Sequence, residues 1–133
     1  MKYFAESLGT FFLVAVVVGS GIMAENLANG NTAVALLGNT IATGAILFVI
    51  IKMFAPISGA HFNPAVSFVF YLRKELELKK LCYYIFFQIA SGLIAVFIIK
   101  FSFCIRLFEQ PLTILTNKFQ VTKPGKRNNT NSL

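Results

Sequence analysis

Charged residues are scarce in this sequence. Only 13% of its 133 residues are Asp, Glu, Lys or Arg, whereas 56% are hydrophobic. An average soluble domain has about 25% charged and 45–50% apolar residues, so this composition excludes an ordinary soluble fold and predicts a membrane protein. The length suits one compact unit of a few helices.

Residues that build disulfide frameworks, metal sites and catalytic centres are also few. The chain has two cysteines (Cys82 and Cys104), one histidine (His61) and no tryptophan. Two scattered cysteines predict neither a disulfide framework nor a metal site. An intramembrane enzyme or proton relay would have to rely on His61 and Glu6, a set too small for catalysis. We therefore expect no enzyme, no metal and no cofactor.

Three apolar segments, residues 3–24, 33–54 and 81–101, are long enough to cross a membrane. A spanning helix needs about 20 apolar residues for the roughly 30 Å hydrocarbon layer. The first segment is interpreted as a retained span, because no A-x-A cleavage site closes it. The third carries small and polar residues on one helical face, which predicts a packing seam. That face comprises Gln88, Ser91, Gly92 and Ala95.

The basic residues that give a formal net charge of +7 lie in predicted loops and in the tail. Nucleic-acid binding is not expected, since such binding needs a basic stripe or patch. The charges are predicted to contact anionic lipid and to set the topology. Lys2 and the linker at residues 73–80 are basic, and the loop at residues 25–32 has no Lys or Arg, so the N-terminus is predicted to be cytoplasmic. The basic residues after residue 101 conflict with this orientation.

The stretch at residues 57–67 interrupts the pattern of spans. Asn63 is a strong N-cap residue and Pro64 suits the first helical position, which predicts a helix over residues 64–72. That helix would be roughly 13 Å long, about half of the hydrocarbon thickness. Short, irregular backbone is tolerated at membrane depth only when it is buried in protein or lines a cavity. The stretch is therefore predicted to be a re-entrant pore or binding element.

Glu6 is the one acidic residue within the first span, and two interpretations are open. It lies near the membrane entry, so it could be an interfacial carboxylate that reaches water. Alternatively, it is buried in the bundle with a polar partner, the default for an acidic residue inside a span.

The run SGAHFNPAV at residues 58–66 resembles the first signature of the aquaporin (major intrinsic protein) family. The family's first span is matched by Ala5, Glu6, Gly9, Thr10 and Phe11. Its third span is matched by Tyr84, Gln88 and Gly92. The resemblance covers about residues 1–100 and is greatest to the bacterial wide-pore, arsenite-associated branch, through residues 18–25 and 56–61.

Family members are inverted repeats in which each half supplies three spans and one half-helix. The resemblance therefore implies the first repeat of this fold over residues 1–101, with a non-homologous, partly disordered tail at 102–133. No second Asn-Pro-Ala and no filter arginine after it occur in the chain. A frameshift or premature stop in a longer gene is our hypothesis for this arrangement. It predicts a second half in another reading frame of the downstream DNA.

The resemblance also implies residue roles. The Asn63 amide would donate hydrogen bonds to a permeating oxygen, and Pro64 and Ala65 would begin the half-helix; the alternative is that Asn63 only caps it. Pore-loop carbonyls would come from Gly59, Ala60 and His61.

Two further positions are assigned through the fold of the family. We expect His61 to be structural and hydrogen-bonded to Glu6, because a buried carboxylate needs a partner, and this pair would orient the loop. Thr43 occupies the outer-filter position of the second span, where water-selective members have a bulky aromatic residue. The smaller threonine predicts a wider filter that admits uncharged solutes beyond water; the alternative is that Thr43 only packs.

The function that the resemblance implies is a passive channel for water and small uncharged solutes such as glycerol and arsenite. Its partners would be the lipid bilayer and these solutes, and full family members assemble as tetramers. The location would be the inner cell membrane, as a multi-pass protein. The alternative is a non-conducting membrane-inserted fragment, since one half supplies only one half-helix. A symmetric pair of copies would need opposite orientations, against which the Lys and Arg distribution argues.

Overall fold

The computed structural model describes the backbone of residues 1–121 and the side chains of residues 1–105. Within these residues it is helical, without strands, and the helices are α1 (Lys2–Leu27), α2 (Thr32–Ser58), α3 (Pro64–Leu72) and α4 (Leu78–Val121). Three of the helices are long and apolar enough to cross a membrane, which confirms the prediction of an all-α membrane protein with three spans. Re-entry of α3 into a membrane stays a prediction.

The turn between α1 and α2 follows from its Asn and Gly residues. Asn29 and Gly30 have φ angles of 47° and 87°, in the left-handed region that these two residue types tolerate best. Asn31 then caps α2, and its side-chain oxygen accepts hydrogen bonds from the backbone N–H groups of Ala33 and Val34. This cap satisfies amides that a helix start otherwise leaves unpaired.

Helix α4 packs against α1 along the predicted seam. Gln88, Ser91 and Ala95 are all buried, which confirms that this face of α4 is a packing surface. A Cβ atom at Gly92 would lie 3.7 Å from Val14, so this glycine permits the close approach of the two helices. At one end of α1 the ring of Tyr3 contacts those of Tyr83, Tyr84 and Phe87 on α4.

Helices α2 and α4 extend beyond the predicted spans. Helix α2 continues to Ser58 rather than ending near residue 54, and α4 begins at Leu78 and continues to Val121 rather than to residue 101. Once a helix has nucleated, each further residue adds one hydrogen bond. The helix can therefore extend beyond the apolar segment that crosses a membrane. The predicted partly disordered tail is therefore helical as far as Val121, and residues 122–133 lie outside the described part of the chain.

The chain divides into two compact units, Met1–Lys100 and Phe101–Leu133. The first unit contains α1, α2, α3 and the beginning of α4, and it contains every residue of the candidate site. The second unit is helical through Val121.

Candidate functional site

The N-terminus of α3 is formed by the Asn63–Pro64 step. Asn63 has extended backbone (φ −148°, ψ 130°), and its side-chain oxygen accepts a hydrogen bond of 2.8 Å from the backbone N–H of Ala65. Pro64 occupies the first turn, where its missing N–H costs nothing. Because the Asn63 oxygen is engaged in this cap, the orientation of its amide group is set by α3.

The loop that leads from α2 to α3 has an unusual backbone. Gly59, Ala60 and Phe62 have φ angles of 92°, 54° and 48°, all in the left-handed region. Glycine adopts this conformation freely, but each non-glycine residue there costs about 1–2 kcal/mol. The loop therefore needs strong anchors, which the neighbouring helices supply.

Glu6 is the main anchor of this loop. Its side chain is 0% exposed, so the interfacial interpretation is wrong and the carboxylate lies inside the bundle. Oε1 accepts hydrogen bonds from the Ser58 hydroxyl (2.6 Å) and the His61 backbone N–H (3.0 Å). Oε2 accepts from the Phe62 backbone N–H (2.7 Å) and from the Gln88 amide (2.9 Å). Four donors around one carboxylate compensate for its loss of water.

The contact between Glu6 and His61 differs from the predicted one. Glu6 binds the backbone N–H of His61, whereas the imidazole Nδ1 lies 3.1 Å from the hydroxyl of Ser67. The ring stacks on Phe70, with 4.4 Å between centroids. The physical reason is that two consecutive loop amides, those of residues 61 and 62, have no partner within the loop and take both oxygens of the carboxylate.

Phe62 is a second anchor, and sequence analysis did not single it out. Its ring is 2% exposed and lies directly over Gly9, where an added Cβ would come within 2.0 Å of the ring. Its carbonyl accepts a hydrogen bond of 3.2 Å from the hydroxyl of Thr10. Gly9 and Thr10 thus fix both the side chain and the backbone of the residue that precedes Asn63.

Ser58 and Tyr84 hold the opposite end of the loop. The Tyr84 hydroxyl donates to the carbonyl of Ser58 (2.8 Å), and the Ser58 hydroxyl oxygen accepts from the backbone N–H of Ala60 (3.2 Å). Sequence analysis assigned no role to Ser58, Thr10 or Ser67. The sequence feature that could have identified these three residues is their polarity next to long apolar segments, since polar groups at membrane depth need partners.

Thr43 is not brought into this cluster. It lies on α2 and is half-buried, and within the described side chains it makes no hydrogen bond to the loop. Its filter role stays a prediction.

An open cleft of about 320 Å³ lies at the N-terminus of α3. Asn63 is exposed, and within residues 1–105 its amide nitrogen has no hydrogen-bond partner. The rest of the lining is mainly apolar. It comes from α1 (Thr10, Leu13, Val14 and Val17), from Phe62 and Pro64, and from α4 (Gln88, Ile89 and Gly92). The geometry presents one oriented polar donor against an apolar wall.

The comparisons with known proteins agree with this arrangement. The model of the family described as "Major intrinsic protein" matches residues 1–128. The chain belongs to the major intrinsic protein family. Family members are channels rather than enzymes. The match continues past residue 101, where sequence analysis ended the resemblance. No solved structure matches the chain significantly.

Curated major intrinsic proteins match with moderate identity. Aquaglyceroporin AqpS of Rhizobium meliloti (strain 1021) is 43% identical over 121 residues, which is 91% of this chain and 52% of the relative. Putative aquaporin NIP4-1 of Arabidopsis thaliana is 34% identical over 102 residues, or 77% of this chain and 35% of the relative. Aquaporin PIP2-3 of Zea mays is 31% identical over 103 residues, or 74% and 36%. The chain thus spans between about a third and a half of the length of these relatives.

Proposed function

We propose that this chain supplies the first half of a passive channel for water and small uncharged solutes such as glycerol. The observation that carries the proposal is the Asn63 side chain. Its oxygen caps α3, its amide nitrogen has no partner within residues 1–105, and the residue lines an open cleft. A permeating water or polyol has hydroxyl oxygens that can accept from these donors. The printed name of the 43% identical relative, an aquaglyceroporin, supports a solute range that includes glycerol.

The N-terminus of α3 would also exclude cations from the channel. The N-terminus of a helix carries a partial positive charge that raises the energy of cations, while neutral solutes are little affected. The carbonyls of Gly59, Ala60 and His61 would offer acceptors next to this donor. Arsenite, as a further small uncharged solute, belongs to this proposal as well.

The setting of this channel is part of the proposal. We place the protein in the inner membrane with a cytoplasmic N-terminus, because basic residues flank the α3–α4 linker and are absent from the α1–α2 turn. The tetramer of full-length family members would be its assembly.

The open cleft at Asn63 also favours a second candidate, a membrane-inserted chain that does not conduct by itself. The chain covers 52% of Aquaglyceroporin AqpS, and a channel of this fold needs two half-helices. The polar end of α3 would then remain without its counterpart at membrane depth, an arrangement that costs free energy.

A swelling assay in proteoliposomes separates the two candidates. The channel proposal predicts faster swelling than empty vesicles in water and in glycerol gradients. Asn63→Ser should lower both rates by about tenfold, because the shorter serine retains the cap but cannot place a donor where the Asn63 amide lies, and one lost hydrogen bond is worth about 1.4 kcal/mol of barrier. Swelling no faster than that of empty vesicles would contradict the channel proposal and support the non-conducting candidate. Equal rates for wild type and Asn63→Ser would limit Asn63 to capping.

The filter role proposed for Thr43 predicts a change in selectivity. Thr43→Phe should reduce the glycerol rate by about tenfold, an added barrier of about 1.4 kcal/mol, and the water rate much less, since an aromatic ring narrows the passage. Thr40→Phe is the matched control, because Thr40 is an exposed threonine on the same helix. Equal loss of glycerol and water flux, or equal effects of both variants, would assign Thr43 to packing.

A further inference from the structure

Ser67 lies on α3 and has no part in the proposed channel chemistry. Its side chain is 0% exposed, whereas several apolar residues of the same helix are exposed, among them Phe68, Val69 and Leu72. A polar group is thus buried where apolar groups are not. Burial of a hydroxyl costs free energy unless it is hydrogen-bonded, so its partners indicate what this residue holds in place.

The Ser67 hydroxyl connects α3 to the loop and to α4. It accepts a hydrogen bond of 3.0 Å from the side-chain amide of Gln88, and it lies 3.1 Å from Nδ1 of His61. A hydroxyl both donates and accepts, so it can bond to either tautomer of the imidazole; if Nδ1 is protonated, its own proton can turn to Oε1 of Gln88, 3.5 Å away. Within residues 1–105, no other side chain of α3 makes a hydrogen bond to a different element.

Gln88 joins this contact to the anchor of the loop. Its side chain is 1% exposed, and the NH₂ group that donates to Ser67 also donates to Oε2 of Glu6, at 2.9 Å. The same carboxylate accepts hydrogen bonds from the backbone N–H groups of His61 and Phe62. Helix α3 and the loop are therefore held by one buried polar network, to which α1 and α4 each contribute a side chain.

A second contact lies on the same face of α3. Phe70 follows Ser67 by three residues, which places both on one side of a helix. The ring of Phe70 stacks on the imidazole of His61, with 4.4 Å between centroids. The imidazole also meets the ring of Tyr84 edge-on, with 5.3 Å between centroids. Two contacts on one face oppose rotation of α3 about its axis.

Asn63 is coupled to Ser67 through the first turn of α3. The backbone N–H of Ser67 donates to the carbonyl of Asn63 at 3.0 Å. Residues four apart lie on the same face of a helix, about 6 Å apart along its axis. The Asn63 side chain is in turn fixed to the backbone by its bond from the N–H of Ala65. A rotation or axial shift of α3 at Ser67 would therefore move the Asn63 amide with it.

We propose that Ser67 is a positioning residue of the channel. By bonding to His61 and Gln88 it sets the rotation and axial position of α3, and through them the direction of the Asn63 amide. The functional consequence rests on the proposed channel, because a displaced amide would meet a permeating oxygen less well. The position of the amide is nevertheless measurable without conduction.

NMR of the Asn63 side-chain amide measures this effect directly. The full chain, with isotope-labelled asparagine, is placed in nanodiscs, and the Asn63 signal is identified by its absence in Asn63→Ser. Ser67→Thr and Ser67→Val are the matched pair, because their new side chains have nearly the same shape and only threonine has the hydroxyl. We expect the amide in Ser67→Thr to be as ordered as in the wild type. In Ser67→Val its order parameter should fall below about 0.6, the range of flexible groups.

The swelling assay tests whether Ser67 acts through Asn63. With rates normalised to the amount of inserted protein, Ser67→Val should be about tenfold slower than Ser67→Thr for water and for glycerol. This difference should shrink to less than about twofold when each variant is combined with Asn63→Ser, because the amide that Ser67 positions is then absent. Ser91→Ala is the control. Ser91 is a buried serine whose hydroxyl bonds only to carbonyls of its own helix, so its loss should change neither the Asn63 signal nor the rates.

Two results would overturn the proposal. One is an equal order parameter of the Asn63 amide in Ser67→Thr and Ser67→Val. The other is a difference in swelling between these variants that persists in the Asn63→Ser background, since Ser67 would then act on the whole fold. If the wild type does not swell vesicles, the proposed function fails, and the NMR comparison still decides the role of Ser67.

Discussion

Replacing Glu6 by glutamine is expected to loosen the loop and to reduce solute permeability far more than the amount of protein inserted into the membrane. Glutamine has one acceptor oxygen and one NH₂ group in place of two acceptor oxygens. The NH₂ group would face two of the four donors that the carboxylate now binds. Two hydrogen bonds to a charged group are lost, each worth about 1.5–3 kcal/mol, so the loop should lose about 3–6 kcal/mol of stabilisation.

The measurement is amide hydrogen exchange at His61 and Phe62, combined with the swelling assay. A local loss of about 3 kcal/mol corresponds to roughly 100-fold faster exchange of these amides, with little change in the helix interiors. Glu25→Gln is the matched control, because Glu25 is an exposed glutamate on the same helix. Equal losses of permeability and of inserted protein would show that Glu6 acts on folding rather than on loop position.

Replacing Gly9 by alanine is expected to displace the ring of Phe62. The added Cβ would lie 2.0 Å from Cε1 of the ring, closer than any real contact, so the buried ring must move from its position. Overpacking of this kind costs about 1–3 kcal/mol and occasionally more. The cost should lie at the upper end here, because the carbonyl of Phe62 is also held by Thr10. Thermal unfolding in detergent, followed by circular dichroism, measures it.

A double-mutant cycle identifies the ring as the cause. In Gly9→Ala/Phe62→Ala the clash is removed, so the double variant should be more stable than the sum of the two single effects by about 1–3 kcal/mol. Gly44→Ala is the matched control, since a Cβ there meets no atom within 4 Å and alanine favours a helix by about 1 kcal/mol. Additive single effects would refute the contact between Gly9 and Phe62.

Local chemistry was sufficient to predict the spans and the short helix. Long apolar segments predict membrane helices because the hydrocarbon layer selects length and polarity, and α1, α2 and the Leu78–Ile105 part of α4 agree with this. Helix α3 (Pro64–Leu72) begins at the Asn63–Pro64 step, because capping depends on two or three neighbouring residues. The end of α4 was not predictable in this way, since apolar content does not report where a helix stops.

The partners of the buried polar groups were decided only by the tertiary structure. Sequence analysis paired Glu6 with the His61 side chain, but the fold gives the carboxylate the backbone N–H group and turns the imidazole to Ser67. It also places Phe62 over Gly9, although 53 positions separate them. Such contacts depend on how helices cross and on left-handed backbone at residues 59, 60 and 62, and no local pattern encodes either. The sequence determines that a polar group at membrane depth must be satisfied, and the three-dimensional packing determines by which atom.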